Sequence, residues 1–565
     1  MKSIKKLFFS QQTSIFSAAT TIMLMVVASR VLGLVRQRTL AHFFVPQDLA
    51  LFFAAFRLPD LIFEVLVFGT FSAAFIPVFT KALKKGRKEA WLLAGTIANL
   101  GLLVFLTLAV VVIIFANQFY GFLTPGFGPD HREQIVLMSR ILFAAQGFFV
   151  ISYVLTAVLE SSRRFLVPAI APLFYNIGII LGTVFLSRPL GLLGPVVGVV
   201  LGAASHFLIQ LPFAFKLGFR FLPKIRIDDE VKKVGRLALP RIIEVSFLQV
   251  TKTVELYLAS IISTASYTYF TFGNSLQLLP VGLFGTSIAK AALPTLSRQA
   301  DLPEEFRKTL FNALYQVSFL ILPISAILIV LRIPLVRLVF GTDIFSWEAT
   351  VQTGMVVSAF GVGVVFQALA ALLARGFYAL HDTKTPVVIS VLTITLNIAA
   401  DFILIKHFGL PAWGLAAAFS FSSLIQVLIL FVFMKKRLSF RFNLKVITPF
   451  IKAAVASTVS GGVMYFLLKI FDKSVWVKKL SFLGKLDVGK NIPFEKFVLD
   501  TRLTFNLLVL TIFVVVVGIT IYYLASLILR SEELKYFSGL VKRMLKTKTV
   551  GSISPVESEL TIDNN

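Results

Sequence analysis

Ionisable side chains recur inside long apolar stretches of this sequence, where each costs about 2.5 to 3.5 kcal/mol to insert into a bilayer. Three of them are arginines in the first two such stretches, Arg30, Arg36 and Arg57. A guanidinium binds phosphate through two parallel hydrogen bonds and keeps its charge when water is removed. The three residues therefore predict binding of a phosphate-bearing anion. The plainer interpretation is that Arg57 pairs with Asp60 or Glu64 and that Arg36 and Arg38 extend to the lipid surface.

A second charged stretch contains Arg241, Glu244, Lys252 and Glu255. Each base stands three residues before an acid, so the members of each pair are neighbours on a helix surface and can neutralise each other. The alternative is that the two bases face an interior cavity. Arg241 and Lys252 are therefore further candidates for binding an anionic substrate.

Oxygen ligands for a small cation form another candidate group. Asn397 and Asp401 are one helical turn apart, and Glu255 could complete a set of hard oxygen donors around the ion. A polar pair in a membrane helix is also often a packing hydrogen bond between helices. Both interpretations of Asn397 and Asp401 stay open from the sequence.

Motifs for catalysis are missing. The sequence has no Walker loop, no HExxH and no GxSxG, it lacks cysteine, and its five histidines are scattered. The remaining enzymatic alternative is a lipid-modifying enzyme, but spaced acidic or histidine clusters at a membrane face are missing. We therefore predict no enzymatic activity and no bound cofactor. Any transport must draw on an ion gradient, the membrane potential or the substrate gradient.

Composition indicates which elements position these groups. Hydrophobic residues make up 57% of the 565 residues and charged residues only 15%, against about 25% in soluble domains, which excludes a water-soluble enzyme. Strand-like alternation is absent, so we predict an all-α polytopic membrane protein. The apolar runs define fourteen predicted transmembrane helices, at 14–35, 49–79, 90–119, 134–158, 166–186, 190–215, 238–262, 265–295, 309–331, 350–374, 386–405, 411–434, 447–468 and 504–529.

The distribution of Lys and Arg sets the predicted orientation. With the N-terminus inside, the inner segments hold 33 of these residues and the outer segments 15, eight of them in one longer loop at 469–503. This asymmetry predicts that both termini are cytoplasmic. The first apolar run follows Lys2, Lys5 and Lys6 without a clear cleavage site, and we interpret it as a retained helix. The net charge of +27 therefore reflects topology, and no nucleic acid partner is predicted.

Two sequence echoes indicate an internal duplication. The Ala-Ala-Phe-Ile-Pro run ending at Pro77 returns as Ala-Ala-Leu-Pro at Pro294, 217 residues later, and Asn176-Ile177 returns as Asn397-Ile398 after 221 residues. Because each repeat contains six helices, an even number, both repeats have the same orientation in the membrane, as in transporters built of parallel repeats. The predicted domains are an N-lobe at 1–222, a C-lobe at 223–437, two extra helices with the basic outer loop at 438–530, and a cytoplasmic tail at 531–565.

Several motifs follow one another along about residues 15–435. They are Ala28-Ser29-Arg30-Val31-Leu32-Gly33-Leu34-Val35-Arg36, Phe56-Arg57-Leu58-Pro59-Asp60-Leu61, Gly69-Thr70-Phe71-Ser72-Ala73-Ala74-Phe75-Ile76-Pro77, Ser139-Arg140-Ile141-Leu142, Leu279-Pro280-Val281-Gly282-Leu283-Phe284-Gly285, Gly376-Phe377-Tyr378-Ala379 and Asp382-Thr383-Lys384-Thr385-Pro386-Val387. In this order the motifs resemble the MurJ (MviN) family, the lipid II flippases of the MOP exporter superfamily.

The resemblance implies two lobes in a V around a cationic cavity, with helices 13 and 14 forming a groove for a polyprenyl tail. It implies alternating-access transport of undecaprenyl-pyrophosphate-linked disaccharide-pentapeptide, or lipid II, to the outer leaflet for cell-wall synthesis. Arg30 and Arg36 fall on the family's two first-helix arginines. Glu255, Asn397 and Asp401 fall on positions resembling a sodium site, so Na⁺ is the implied coupling ion, although Glu255 stands where Asp or Asn is usual.

Three positions depart from the family pattern. Basic residues are expected near the Leu-Pro motifs of helices 2 and 8, but the sequence has Phe63 and Ser275 there, and Gln37 stands where an acid is usual. Arg57, Arg241, Lys252 or Lys290 could supply the charge instead.

We therefore expect a multi-pass lipid II flippase of the bacterial inner membrane that contacts membrane lipids and the cell-wall synthesis machinery. Two alternatives stay open. One is a flippase for another polyprenyl-pyrophosphate-linked glycan, and the other is a non-transporting membrane scaffold that recruits partners through its tail.

Overall fold

The computed structural model describes residues 15–68, 74–221, 224–439, 444–473, 498–535 and 537, and for residues 15–23, 68, 240, 241, 244, 444 and 445 it describes the backbone alone. Most of the predicted outer loop at 469–503 and most of the tail at 531–565 lie outside the described residues. Within them the chain is almost entirely helical, and one isolated bridge joins Asp472 to Leu499.

Among the described residues, the first half of the chain forms nine α-helices and the rest forms ten. The first nine are α1 (Ile15–Phe43), α2 (Pro46–Ala55), α3 (Arg57–Phe63), α4 (Ile76–Lys85), α5 (Arg87–Ile114), α6 (Ala116–Leu123), α7 (Pro129–Ser161), α8 (Leu166–Leu190) and α9 (Leu193–Lys216). The others are α10 (Asp229–Ile262), α11 (Ser266–Pro280), α12 (Ser287–Arg298), α13 (Pro303–Val330), α14 (Arg332–Phe340), α15 (Trp347–Ala379), α16 (Lys384–Phe402), α17 (Trp413–Arg437), α18 (Leu444–Phe471) and α19 (Thr504–Ile528).

The prediction of a polytopic α-helical membrane protein is confirmed. Twelve helices within the described residues are long and apolar enough to cross a bilayer. The predicted first span corresponds to α1, of which residues 15–23 are described by their backbone alone. Helix α1 continues past the predicted end to Phe43, because the first proline comes only at Pro46. The predicted second span is divided, since α2 ends at Ala55 and α3 starts anew.

Two π-helical turns interrupt corresponding helices of the two halves. One follows α3 at Glu64–Phe68, and the other follows α11 at Val281–Thr286. Their first residues are 217 positions apart, which is the spacing of Pro77 and Pro294. A π-turn marks a local irregularity where a helix bends. The shared position supports the duplication with a structural feature that the sequence echoes did not include. A third π-turn follows α16 at Ile403–His407.

Glycines allow α8 and α9 to pack with their backbones in contact. Gly178 and Gly182 of α8 face Gly198 and Gly202 of α9, and a Cβ atom at any of the four would run into the facing backbone. Small residues at a membrane helix interface permit this approach, and dispersion contacts then stabilise the pair. The N-terminal half therefore has a rigid two-helix unit beside α1.

The two halves meet at the end of the bundle that the charge distribution predicts to be outer. Thr268 Oγ1 donates to the Pro46 carbonyl at 2.6 Å, and Thr342 Oγ1 donates to the Ala41 carbonyl at 2.7 Å. Gly126 lies so close to Ser260 that a Cβ at Gly126 would collide with the Ser260 carbonyl. These contacts close the bundle at that end.

Candidate functional site

A cavity of about 630 Å³ lies between α1, α8 and α11. Its wall includes both first-helix arginines, Arg30 and Arg36, together with Tyr175, Asn176 and Ser275. Within the described residues neither arginine forms an ion pair with a carboxylate. The structure therefore places two guanidinium groups, free of acidic partners, on one interior wall.

Arg38 has a different environment from Arg30 and Arg36. Its Nη1 donates to the carbonyl oxygens of Leu338 at 2.7 Å and Val339 at 3.2 Å in α14. These bonds tie α1 to the second half of the chain. Arg38 is thus a structural contact between the halves, outside the wall of the cavity.

Two departures from the family pattern meet in space. Gln37 Nε2 donates to Ser275 Oγ at 2.7 Å, joining α1 to α11 beside the cavity. The pattern implies an acid at the first position and a base at the second, so a neutral hydrogen bond stands where an ion pair is expected. When both partners of a buried ion pair are replaced by neutral residues, the free energy of unfolding often changes little. The loss of the base at Ser275 is thus matched by the loss of the acid at Gln37.

Phe63, the other departure, does not line the cavity. Its ring packs against Phe149 and Tyr153 of α7, with centroid distances of 5.8 and 5.4 Å. The side chain is buried in the core of the first half. An aromatic packing residue therefore stands where the family pattern implies a base.

Arg57 is buried and takes part in a chain of polar contacts between the halves. It donates to the amide oxygen of Gln249 in α10, and the Gln249 amide nitrogen donates to Glu64. Asp60 instead accepts a hydrogen bond of 2.5 Å from Gln146 Nε2. The expected direct pairing of Arg57 with Asp60 or Glu64 is therefore wrong, because Gln249 stands between Arg57 and Glu64.

Lys252 completes this chain of contacts. Its Nζ lies 2.8 Å from Glu64 Oε2, so the ion pair crosses from α10 to the π-turn after α3. The expected neutralisation of Lys252 by Glu255 is wrong, because the carboxylate of Glu64 is the group that reaches it. Arg241, predicted as a further substrate-binding residue, and its neighbour Glu244 have side chains outside the described residues.

We expect the Glu64–Lys252 pair to couple the two halves weakly. Glu64→Gln, Lys252→Gln and the double variant form a double-mutant cycle in the free energy of unfolding. A coupling energy of about 0.5 to 1 kcal/mol is expected, since 46% of the Lys252 side chain and 27% of the Glu64 side chain are exposed. The exposed pair of Lys85 and Glu230 is the matched control, for which a smaller coupling is expected. Strict additivity at Glu64 and Lys252 would contradict the coupling.

The predicted cation ligands come together at the contact between α10 and α16. Asn397 Nδ2 donates to Asp401 Oδ2 at 3.0 Å, and both residues are buried. Asn397 Oδ1 and Asp401 Oδ1 have no hydrogen-bond partner among the described residues. Glu255 lies on α10, the helix that packs against α16. Buried oxygens without donors suit a small cation, so the residues fit the implied ion, although no cluster of three His, Cys, Asp or Glu occurs in the described part.

Sequence reasoning missed four residues of these sites, namely Glu160, Tyr175, Asn176 and Gln249. Only Asn176 carried a usable signal, since it is the repeat counterpart of Asn397. In the structure Asn176 lines the cavity and donates to the Pro172 carbonyl at 3.1 Å, whereas Asn397 belongs to the cation site. The same residue of each repeat thus lies at a different candidate site.

Membrane-crossing helices around an interior cavity define a polytopic membrane transporter, and solved structures have the same fold. The alignment with a structure described as lipid II flippase MurJ in an inward closed conformation has a TM-score of 0.71 at 23% identity, over 89% of this chain and 98% of that one. An inward-facing MATE family transporter of the MOP superfamily aligns with a TM-score of 0.62 at 13% identity, over 73% of this chain and 94% of that one.

Sequence comparison identifies the family. The family model "Lipid II flippase MurJ" matches residues 39–487. The "Probable lipid II flippase MurJ" of Vibrio cholerae is 31% identical over 79% of this chain and 87% of its own length. That of Thermotoga maritima is 27% identical over 95% of this chain and 98% of its own length. The chain therefore belongs to the lipid II flippase MurJ family.

Proposed function

We propose that this protein moves lipid II, the lipid-linked peptidoglycan precursor, from the inner to the outer leaflet by alternating access. The observation that carries the proposal is the pair Arg30 and Arg36 on the wall of one interior cavity, without ion-pair partners in the described part of the chain. A pyrophosphate linker would supply the missing negative charge. Names of the relatives, which are called lipid II flippases, give independent support.

The membrane and orientation belong to the same proposal. The helices make this a multi-pass membrane protein. The excess of Lys and Arg in the predicted inner segments supports an inner-membrane protein with both termini in the cytoplasm. In that orientation the closed end of the bundle faces outward, and the cavity is in its inward-facing state. The division into lobes at 1–222 and 223–437 stays a prediction.

Complementation tests the function directly. The protein is expressed in cells whose essential lipid II flippase can be shut off, and growth is scored together with surface accessibility of lipid II. Recovery of both supports the proposal. If the protein is present in the membrane and neither recovers, lipid II transport is contradicted.

A second candidate function is a flippase for another polyprenyl-pyrophosphate-linked glycan. The observation favouring it is the departure from the family pattern at two positions, since Ser275 bonds to Gln37 beside the cavity and Phe63 is packed in the core. Recovery of glycan display in a strain that lacks its own glycan flippase, without recovery of lipid II transport, would favour this candidate.

The third alternative is a membrane scaffold. A scaffold should keep its function when the cavity charges are removed and lose it when the tail at 531–565 is removed.

We further propose that Na⁺ binds at Glu255, Asn397 and Asp401 and couples transport to its gradient. A cation that binds only the folded state raises the unfolding temperature. We expect NaCl to raise that temperature more than choline chloride does, and we expect Asp401→Asn to remove the difference. The result is read by thermal unfolding of the purified protein. An equal response to both salts, or a sodium response that survives Asp401→Asn, would exclude this ion site.

A further inference from the structure

A second cavity, of about 420 Å³, lies at the predicted outer end, away from the central cavity. It lies between the junction of α13 and α14, the start of α15, and the outer ends of α18 and α19. We call it the outer pocket and define it by six lining residues, Arg332, Arg337, Trp347, Tyr465, Lys469 and Arg502.

Basic side chains dominate the charge of the outer pocket. Four bases line it, against two acids, Asp343 and Asp472. Within the described residues none of the four bases forms an ion pair, although both carboxylates share the same wall. Asp472 accepts a hydrogen bond of 2.8 Å from Thr501 Oγ1. The pocket therefore holds two more basic than acidic side chains, and no ion pair of the described residues joins a base to either acid.

Two of the bases are held in place by backbone carbonyls. Arg332 Nη1 donates to the Ile329 carbonyl at 2.9 Å, and Arg337 Nη1 donates to the Phe345 carbonyl at 3.3 Å. Arg332 Nε is buried and has no acceptor among the described residues. Oriented guanidinium groups with unused donors favour an anion with several acceptor oxygens, and phosphate is the common one.

The rest of the wall suits the apolar part of an amphiphile. Leu468 of α18 and Leu507 of α19 line the pocket together with the aromatic rings of Tyr465 and Trp347. Trp347 is 57% exposed. Trp and Tyr are typical of the level where headgroups meet the hydrocarbon region. A base-rich pocket with such a wall fits a phosphate-bearing headgroup whose chain continues into the bilayer.

We propose that the outer pocket binds the phosphate of a lipid headgroup in the outer leaflet. This proposal rests on the orientation given under the proposed function. The lipid is either an ordinary anionic phospholipid or a polyprenyl pyrophosphate that has crossed the membrane. Both supply the same phosphate chemistry, and the experiment distinguishes them.

Binding is measured by native mass spectrometry of the full chain carrying Arg30→Ala and Arg36→Ala, so that the central arginines do not contribute. The probes are dihexanoyl phosphatidylglycerol, farnesyl pyrophosphate and inorganic pyrophosphate, with dihexanoyl phosphatidylcholine as the zwitterionic control. We expect Lys469→Gln with Arg502→Gln to weaken binding of at least one of the two anionic lipids about tenfold or more.

Controls keep the result interpretable. The side chains of Lys469 and Arg502 donate no hydrogen bond to the described residues, so the double variant should keep the parent's unfolding temperature. Arg188→Gln removes an exposed arginine at the same predicted face of the other half and should leave binding unchanged. Tighter binding of phosphatidylglycerol identifies a phospholipid site, and tighter binding of farnesyl pyrophosphate identifies a site for the transported lipid.

Three results would overturn the proposal. These are equal binding of both anionic lipids to the parent and the Lys469 and Arg502 variant, binding of phosphatidylcholine as tight as that of phosphatidylglycerol, or binding of inorganic pyrophosphate alone. Complementation reports separately on the proposed function, because it is scored in cells with the arginines of the central cavity intact. If the binding test contradicts the outer pocket while complementation succeeds, only the proposal of lipid binding at the outer pocket is refuted.

Discussion

Arg30→Ala and Arg36→Ala are each expected to abolish growth support and surface lipid II in cells depleted of their own flippase. Both arginines lie on the wall of the central cavity, and the described structure gives neither an acidic partner. A substrate phosphate would lose a charge-assisted, bidentate contact, worth about 1.5 to 3 kcal/mol per hydrogen bond to a charged group. That loss corresponds to at least about a tenfold decrease in transport for each variant.

Two further variants separate charge from general damage. Arg36→Lys keeps the charge but loses the planar fork, so partial activity is expected. Arg140→Ala removes an exposed arginine of α7 whose contact is a weak hydrogen bond of 3.4 Å to the Ile113 carbonyl, and it should transport normally. Growth of both alanine variants at normal protein levels would refute the assignment of Arg30 and Arg36.

Gly126→Ala is expected to shift the protein toward its outward-open state. The added methyl group would collide with the Ser260 carbonyl across the closed outer end. Overpacking of this kind costs about 1 to 3 kcal/mol, which changes a two-state equilibrium by about fivefold to a hundredfold, with tenfold near the middle of that energy range. The outward-open state avoids this collision, because the two halves separate at the outer end.

Cysteine labelling measures that shift, because the natural sequence contains no cysteine to interfere. Ser29→Cys places a thiol on the wall of the central cavity, and an impermeant maleimide is applied from outside. Labelling should become about tenfold faster with Gly126→Ala. Gly128→Ala is the matched control, since a Cβ there meets nothing within 4 Å. Equal labelling rates with the two alanines would contradict a closing contact at Gly126.

The membrane architecture could be predicted from the sequence because it depends on local quantities. Apolar runs act over one helix, and they located the twelve helices of the described residues that are long and apolar enough to cross a bilayer. Arg30 and Arg36 could be identified for the same reason, since a charged residue within an apolar run is recognised from the sequence alone. Asn397 and Asp401 were recognised as a pair because they are one turn apart.

Partners from distant helices could not be predicted. Lys252 has Glu255 three residues away in sequence, yet it pairs with Glu64, which belongs to the other half of the chain. Gln249 is uncharged and gave no signal, although it bridges Arg57 to Glu64. The bond between Gln37 and Ser275 shows the same limit, because two separate departures from a family pattern become one feature only after folding.

The paired π-turns bear on the symmetry of the transport cycle. Glu64–Phe68 and Val281–Thr286 occupy equivalent places in the two repeats, so each half has a joint at which a helix can bend. If both joints bend, the movement of one half is the rotated image of the movement of the other, and the pseudo-twofold axis survives the change of state. The duplication would then have copied the bending site together with the fold. Opening and closing of the transporter would follow from equal bending in both halves, and no event confined to one half would be needed.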